Sequence, residues 1–208
     1  MRVSRLGREK QALDTLEIPS DIAPVSLPEL REFHEFTLEP GIRHNIFSPK
    51  LLGNLLRHKC TRLLVIDPHI LHGPKQVAIL TRFLESVRPS DQASYKVRTG
   101  RVRGEQRRAD FAGWSDQNAA ADRVRRQLGT LNLTLEFPAD GYFVDHDRVL
   151  YFHIKESGTA RFYKVILGQG LFGFDAACRR RSHGVWFEIA QAEFEAQWAS
   201  SAASTAVK

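Results

Sequence analysis

The chain has 208 residues and a mass of 23.6 kDa; 42% of the residues are hydrophobic and 26% are charged. This length and composition are typical of one ordinary globular domain and exclude a fibrous or intrinsically disordered chain. Thirty Lys and Arg against 24 Asp and Glu give a formal net charge of +6, which favours anionic partners such as nucleic acid or phospholipid headgroups.

The sequence also narrows location and cofactors. No run approaches the roughly 20 apolar residues of a membrane-spanning helix, and the Arg-rich start lacks the apolar segment of a secretory signal. We therefore expect a cytoplasmic protein, with peripheral attachment to a membrane as the alternative. Cys60 and Cys178 lie far apart without CxxC spacing, which predicts reduced, packed thiols. The histidines lack metal-ligand spacing, so we expect no metal and no other cofactor.

Three segments are predicted along the chain. Residues 1–40 are polar and interrupted by prolines, which indicates an arm or irregular lead-in. Residues 41–198 form the predicted domain. Residues 199–208 are small and polar, and we expect this tail to fray.

The first half of the domain alternates strands and helices. Residues 61–67 are a continuous apolar run that ends in Asp-Pro, typical of a strand buried on both faces. Gly73-Pro74 opens an amphipathic helix that Pro89 ends. The next predicted elements are a strand over 94–99, a helix between Asp116 and Gly129, and a strand over 133–137. This order predicts parallel strands with right-handed crossovers.

The second half is rich in β-strands. Residues 149–154, 161–167 and 185–189 are predicted strands, and the turn over 156–159 joins the first two as a hairpin. A short helix over 190–198 closes the domain. The predicted fold is thus an α/β sandwich whose mixed, largely parallel sheet is flanked by helices and carries an antiparallel β extension.

Three short motifs are candidates for a site. Asp67 and His69 follow the first buried strand, where open α/β sheets usually place ligand groups; alternatively, Asp67 caps the turn and His69 is an ordinary surface residue. His146, Asp147 and Arg148 combine a possible phosphoryl nucleophile with a phosphate-binding guanidinium; alternatively, these loop residues pair among themselves.

The third motif is rich in glycine. Gly168 and Gly170 flank Gln169 after a predicted strand, so backbone N–H groups there could approach an anion. Turn formation is the alternative interpretation. The motif matches neither a Walker loop nor the dinucleotide fingerprint.

A basic run begins within the second predicted strand and continues beyond it. Such a run predicts either a phosphate-contacting surface or ordinary solvated charge. Its arginines are Arg98, Arg101, Arg103, Arg107 and Arg108.

Read in order, Ile66-Asp67-Pro68-His69-Ile70, His146-Asp147-Arg148 and Gly168-Gln169-Gly170-Leu171 resemble the phospholipase D-like carboxy-terminal domain of MIT-domain-containing proteins. The resemblance covers about residues 45–190, as a stand-alone version without the helical MIT module. It implies a phospholipase D-like α/β fold, a homodimer, and binding to anionic phospholipid membranes without hydrolysis.

The resemblance also shows where this chain departs from active phospholipases. Those enzymes carry His-x-Lys followed, after four residues, by Asp. The matching positions here are His146, Arg148 and His153. The nucleophile type is therefore kept, the lysine is replaced by an arginine that can clamp phosphate, and the carboxylate is missing.

Three functions follow. The first is a non-catalytic homodimeric module that binds phospholipid headgroups or nucleic acid through the three motifs and the basic run. The second is a phosphodiesterase, either a nuclease or a phospholipase, with His146 as nucleophile and Arg148 and His153 as its partners. The third is a scaffold subunit that docks another protein.

Overall fold

The structure is a computed structural model that describes residues 33–100, 117–138 and 148–200. The strands are β1 (Phe33–Leu38), β2 (Lys59–Ile66), β3 (Pro89–Arg98), β4 (Leu133–Glu136), β5 (Val149–Glu156), β6 (Thr159–Leu167) and β7 (Ser182–Glu188). The helices are α1 (Gly53–Leu56), α2 (Pro74–Ser86), α3 (Gln117–Gln127) and α4 (Gln191–Ala199), and a 3₁₀ helix spans Gly170–Phe174. The strands form one sheet in the order β1-β7-β6-β5-β2-β3-β4.

The β2–α2–β3–α3–β4 segment forms the parallel part of the sheet, as the alternation of strands and helices predicts. β2 pairs with β3, and β3 with β4, in parallel. Pro74 occupies the first turn of α2, where its missing N–H costs no helical hydrogen bond. Pro89 follows the end of α2 and starts β3 directly, so this strand is longer than the predicted 94–99.

The other strands form the antiparallel extension. Ser157 and Gly158 have φ of 49° and 85°, which is the backbone of a two-residue type I′ hairpin turn between β5 and β6. In the described part of the chain, four strand pairs are antiparallel and two are parallel. The mixed α/β fold with its antiparallel extension is confirmed, and the parallel part is the smaller one.

The amino-terminal boundary differs from the prediction. Residues 33–38, which the sequence placed in the irregular lead-in, form the edge strand β1 against β7. Phe36 and Leu38 of this strand are buried in the larger core, and their burial stabilises β1 at the edge of the sheet.

Alternating side chains of β2 divide the interior into two cores, because successive strand residues point to opposite faces. Leu63 and Val65 join the larger core with α2 and α3. Leu64 and Ile66 join a smaller core under α4. We call these two sides of the sheet the α2 face and the α4 face.

Two further expectations concern the cysteines and membrane-spanning helices. Cys60 and Cys178 are both free and buried, as the sequence predicts. Within the described ranges, every helix is too short or too polar to cross a membrane.

Candidate functional site

Several strand ends meet at one edge of the sheet, which we call the carboxyl edge. Ile66, the last residue of β2, pairs with Arg98 at the end of β3 and with Val149 at the start of β5. Val149 in turn pairs with Ile166 near the end of β6. The loops that carry the three sequence motifs therefore begin or end at the same edge.

Asp67 is the buried acid of this edge, with 5% of its surface exposed. Its Oδ1 accepts a hydrogen bond of 2.9 Å from the backbone N–H of His69. Burial raises the pKa of the Asp67 carboxyl to about 6, although the His69 N–H and the Arg148 guanidinium both act to lower it. The carboxyl is therefore ready to change charge just below neutral pH.

Arg148 lies directly against this carboxyl. Its Nε is 3.9 Å from Oδ1 of Asp67, and its Nη1 donates a hydrogen bond of 2.7 Å to the carbonyl of Gly168. Only 16% of the Arg148 side chain is exposed. The guanidinium is thus held in one orientation by an acid on one side and a backbone carbonyl on the other.

Gly170 provides the space in which the acid and the arginine meet. It has a φ of +57°, and a Cβ placed there would lie 2.2 Å from Oδ2 of Asp67 and 2.9 Å from Cδ of Arg148. Both the left-handed backbone and the close approach therefore require glycine. The three motifs, separated by about one hundred residues, converge at Asp67, Arg148 and Gly170; we call these residues with Gly168 the edge cluster.

The glycine loop is held by bonds within the fold. The Gly168 N–H donates to the carbonyl of His183 over 2.9 Å, and the Gln169 N–H donates to Oγ of Ser182 over 3.0 Å. Because these two N–H groups are occupied, they are not available to cradle an anion. Gly168 instead contributes its carbonyl, which anchors Arg148.

His69 lies beside the cluster and contacts a second histidine. The Nδ1 atoms of His69 and His72 are 3.1 Å apart, and the two rings are nearly perpendicular. One of the rings must donate and the other accept, so the pair holds at most one positive charge in this geometry. His72 was not a predicted site residue; its spacing of three residues from His69, across one turn, was the available signal.

Arg98 is not part of an exposed basic surface. It is fully buried and makes an ion pair with Glu136. Its Nη1 donates to the carbonyl of Gln197 over 2.7 Å and its Nη2 to the carbonyl of Trp198 over 3.3 Å. Arg98 thus binds the carboxyl end of α4, where cations satisfy unpaired helix carbonyls.

His153 is placed on the α4 face, apart from the edge cluster. Its Nδ1 accepts a hydrogen bond of 3.2 Å from Nε of Arg62, and its ring stacks on Phe162. Burial lowers the pKa of His153, and the Arg62 charge lowers it further. Arg148 contacts Asp67 at the carboxyl edge, whereas His153 contacts Arg62, so the structure does not bring these two predicted site residues together.

Six predicted residues lie outside the described ranges. These are Arg101, Arg103, Arg107, Arg108, His146 and Asp147. The described residues that border these stretches include Gly100 and Arg148, and both lie at the carboxyl edge: the Gly100 N–H donates to the carbonyl of Pro68 over 3.0 Å.

Among the residues that the structure describes, no group of three or more His, Cys, Asp or Glu side chains could hold a metal ion. Ser182, which the sequence does not mark as a site residue, is buried and holds the glycine loop through its Oγ. No sequence pattern distinguishes a serine with this role from any other serine at the start of a strand.

Comparisons with known proteins give only distant similarity. No protein-family model and no curated protein matches the sequence. Among solved structures, polyphosphate kinase from Porphyromonas gingivalis aligns with 75% of this chain at 10% identity and a TM-score of 0.45. Phosphatidylserine synthase from Haemophilus influenzae Rd KW20 aligns with 83% at 12% identity and a TM-score of 0.42. The alignments span 23% and 38% of those two chains. Similarity at this level transfers no activity to this protein.

Proposed function

We propose that this chain is a phospholipase D-like module that binds phosphate-bearing partners as a homodimer and does not hydrolyse them. The observation that carries the proposal is the convergence of Asp67, Arg148 and Gly170 at the carboxyl edge. Each motif alone is a weak signal. Their meeting in one place supports the resemblance that first linked them.

The orientation of Arg148 suits it to bind a phosphate. Its Nη1 and Nε are directed towards Gly168 and Asp67, which fixes the plane of the guanidinium and lowers the entropy lost when an anion binds. A planar guanidinium can then donate two parallel hydrogen bonds to phosphate oxygens. Asp67 acts as a positioning residue, because its buried carboxyl holds the arginine from behind.

The charge state of Asp67 adjusts this site. Near neutral pH the ionised carboxylate partly cancels the charge of Arg148. Protonation below a pKa of about 6 removes that cancellation, so anion binding should strengthen as the pH falls. Exposed arginines elsewhere keep their charge throughout this range and do not contribute to this dependence.

The position of His153 favours binding over phosphodiester hydrolysis. A phosphohistidine mechanism needs a second group that protonates the leaving oxygen. His153, the group within this chain that the motif offers, is held by Arg62 on the α4 face. Hydrolysis would then require His146 of two chains. Phosphodiester hydrolysis that is lost in His146→Ala would contradict our proposal.

The dimer is part of the proposal because the chain carries one His-x-Arg motif, whereas phospholipase D-like sites are built from two. Two copies related by a twofold axis would supply two such edges. Sedimentation velocity at several protein concentrations measures the assembly directly. A monomer at all concentrations would remove the two-edged site.

One binding panel tests the partner class. It compares vesicles of phosphatidylcholine with and without phosphatidylserine, single- and double-stranded DNA, and RNA, each at low and high salt. For duplex DNA, the slope of log K against log salt should be about −0.9 per contacted phosphate. If the affinity is the same at low and high salt for every member of the panel, phosphate recognition is contradicted.

Arg148→Gln is the decisive variant of the panel, and Arg57→Gln is its matched control. Arg57 is exposed and precedes β2, at the opposite end of that strand from Asp67. We expect Arg148→Gln to weaken binding at least about tenfold, because the variant loses a pair of charge-assisted hydrogen bonds to the phosphate. Equal affinities of the two variants would exclude the edge cluster as the site. A His146→Ala variant and a variant with Arg101, Arg103, Arg107 and Arg108 replaced by Ala measure the contributions of those predicted residues.

A further inference from the structure

A second candidate site is a groove on the α2 face of the domain. It has a volume of about 440 Å³ and lies between α2, the 3₁₀ helix and the segment that precedes α1. Small-molecule sites usually fall between about 300 and 1,000 Å³. None of the residues of the edge cluster lines this groove.

The wall of the groove is apolar and fixed by the core. Phe83 of α2 and Leu171 and Phe174 of the 3₁₀ helix line it, and each is almost fully buried. Phe47, which also lines the groove, is 50% exposed. Burying such an exposed ring is favourable, so the groove can gain free energy by covering Phe47 with a ligand.

Three charged side chains line the same groove, and their charges do not cancel. They are Arg43, Arg82 and Asp175. Asp175 accepts hydrogen bonds from the N–H of Ala177 over 2.9 Å and from Nη2 of Arg82 over 3.2 Å. Those bonds lower the pKa of Asp175, and both arginine charges add to the effect. The carboxylate is thus ionised, and one positive charge remains in excess.

Arg43 carries that excess. It is exposed to solvent, and its guanidinium has no hydrogen-bond partner within the described ranges. Arg82, by contrast, is engaged with Asp175 and with the carbonyl of Ala78. An anionic group that enters the groove would therefore find the donors of Arg43 available.

We propose that this groove binds one molecule of an anionic amphiphile. The apolar body of the ligand packs against Phe47, Phe83 and Phe174, and its carboxylate or phosphate head accepts hydrogen bonds from Arg43. The excess positive charge disfavours a cationic amphiphile, and a neutral one gains no charge-assisted hydrogen bond from Arg43. This inference is independent of the proposed function, because the two sites share no residue.

Isothermal titration calorimetry with four short-chain probes, kept below their micelle-forming concentrations, tests the ligand class. The probes are decyl phosphate, decanoate, decanol and decyltrimethylammonium. Decyl phosphate and decanoate should bind the groove with one molecule each, and decanol should bind there at least about tenfold more weakly, because it forgoes the charge-assisted bonds. A preference between the two anions identifies the head group as phosphate or carboxylate. Decanol or the cation binding as tightly as the anions would overturn the proposal, as would the absence of saturable binding.

Variants place the ligand in the groove. Arg43→Gln should weaken binding of the anionic probes at least about tenfold and leave binding of decanol unchanged. Lys50→Gln is the matched control, since Lys50 is exposed nearby and does not line this groove. Phe47→Ala should weaken binding of decyl phosphate, decanoate and decanol, because all three pack an alkyl chain against the ring. Because Arg43 and Phe47 are exposed, neither change should unfold the protein.

Arg148→Gln separates this proposal from the proposed function. It should leave the affinity of the groove for the decyl anions unchanged, because Arg148 does not line the groove. A second binding event that Arg148→Gln removes and Arg43→Gln leaves in place belongs to the edge cluster. If Arg148→Gln abolishes all binding of the decyl anions and Arg43→Gln leaves their affinity unchanged, the ligand binds at the edge cluster. That result would overturn the inference. The phosphate-binding proposal would stand in that case.

Discussion

Replacing Asp67 by Asn tests the electrostatics of the carboxyl edge most directly. The amide keeps the shape of the carboxyl and can still accept the N–H of His69, but it never ionises. In the folded protein, burial holds the pKa of Asp67 at about 6, against an ordinary value of 3.8. The folded state therefore binds the Asp67 proton more tightly than the unfolded state does.

This difference makes wild type lose stability relative to the variant as the pH rises. The unfolded state loses its proton near pH 3.8 and the folded state near pH 6, so the loss develops between these two values and is complete above the higher one. The whole separation corresponds to about 3 kcal/mol, at 1.36 kcal/mol per pKa unit. Between about pH 4.5 and about pH 7.5, the part that falls in the window is about 2 kcal/mol.

Urea denaturation of wild type and Asp67→Asn at these two pH values measures the change. We expect the free energy of unfolding of the variant, relative to wild type, to rise by about 2 kcal/mol from the acidic to the neutral condition. Asp91→Asn, which alters an exposed carboxylate in β3, is the matched control. A stability difference that does not vary with pH, or that varies no more than in the control, would refute the burial of Asp67.

Three further predictions concern other parts of the fold. Gly170→Ala should destabilise by more than about 2 kcal/mol in urea melts, because positive φ and overlap with Asp67 add; Gly158→Ala shares only the positive φ, and an equal loss there would remove the overlap argument. Arg62→Gln removes the ion pair that holds α4 and should lower the free energy of unfolding by about 2 kcal/mol, with an unchanged melting temperature as the contrary result. Burial raises the pKa of Cys60 to about 12, so its thiol should react with Ellman's reagent only after unfolding; rapid labelling of the native protein would contradict this.

The sequence by itself determined the order of the helices and strands from β2 to α4. The apolar run before Asp67 and the helix after Gly73-Pro74 have periodicities that are set locally, by burial on two faces and by the amphipathic turn. That order also predicted that β2, β3 and β4 are parallel, because crossovers between parallel strands are right-handed. The meeting of Asp67 with Arg148 and Gly170 agrees with the order of motifs along the chain.

Only the tertiary structure decided which face and which partner each side chain has. His153 occupies a position that a motif would make catalytic, yet the pleat of β5 turns it towards α4 and Arg62. Arg98 belongs to a basic run in the sequence, but the carbonyls of Gln197 and Trp198 lie against it once α4 packs on the sheet. β1 looks irregular because its residues acquire hydrogen-bond partners only from β7, about 150 residues later. Local sequence patterns cannot predict such distant partners, because these contacts form only when the two cores pack in the folded protein.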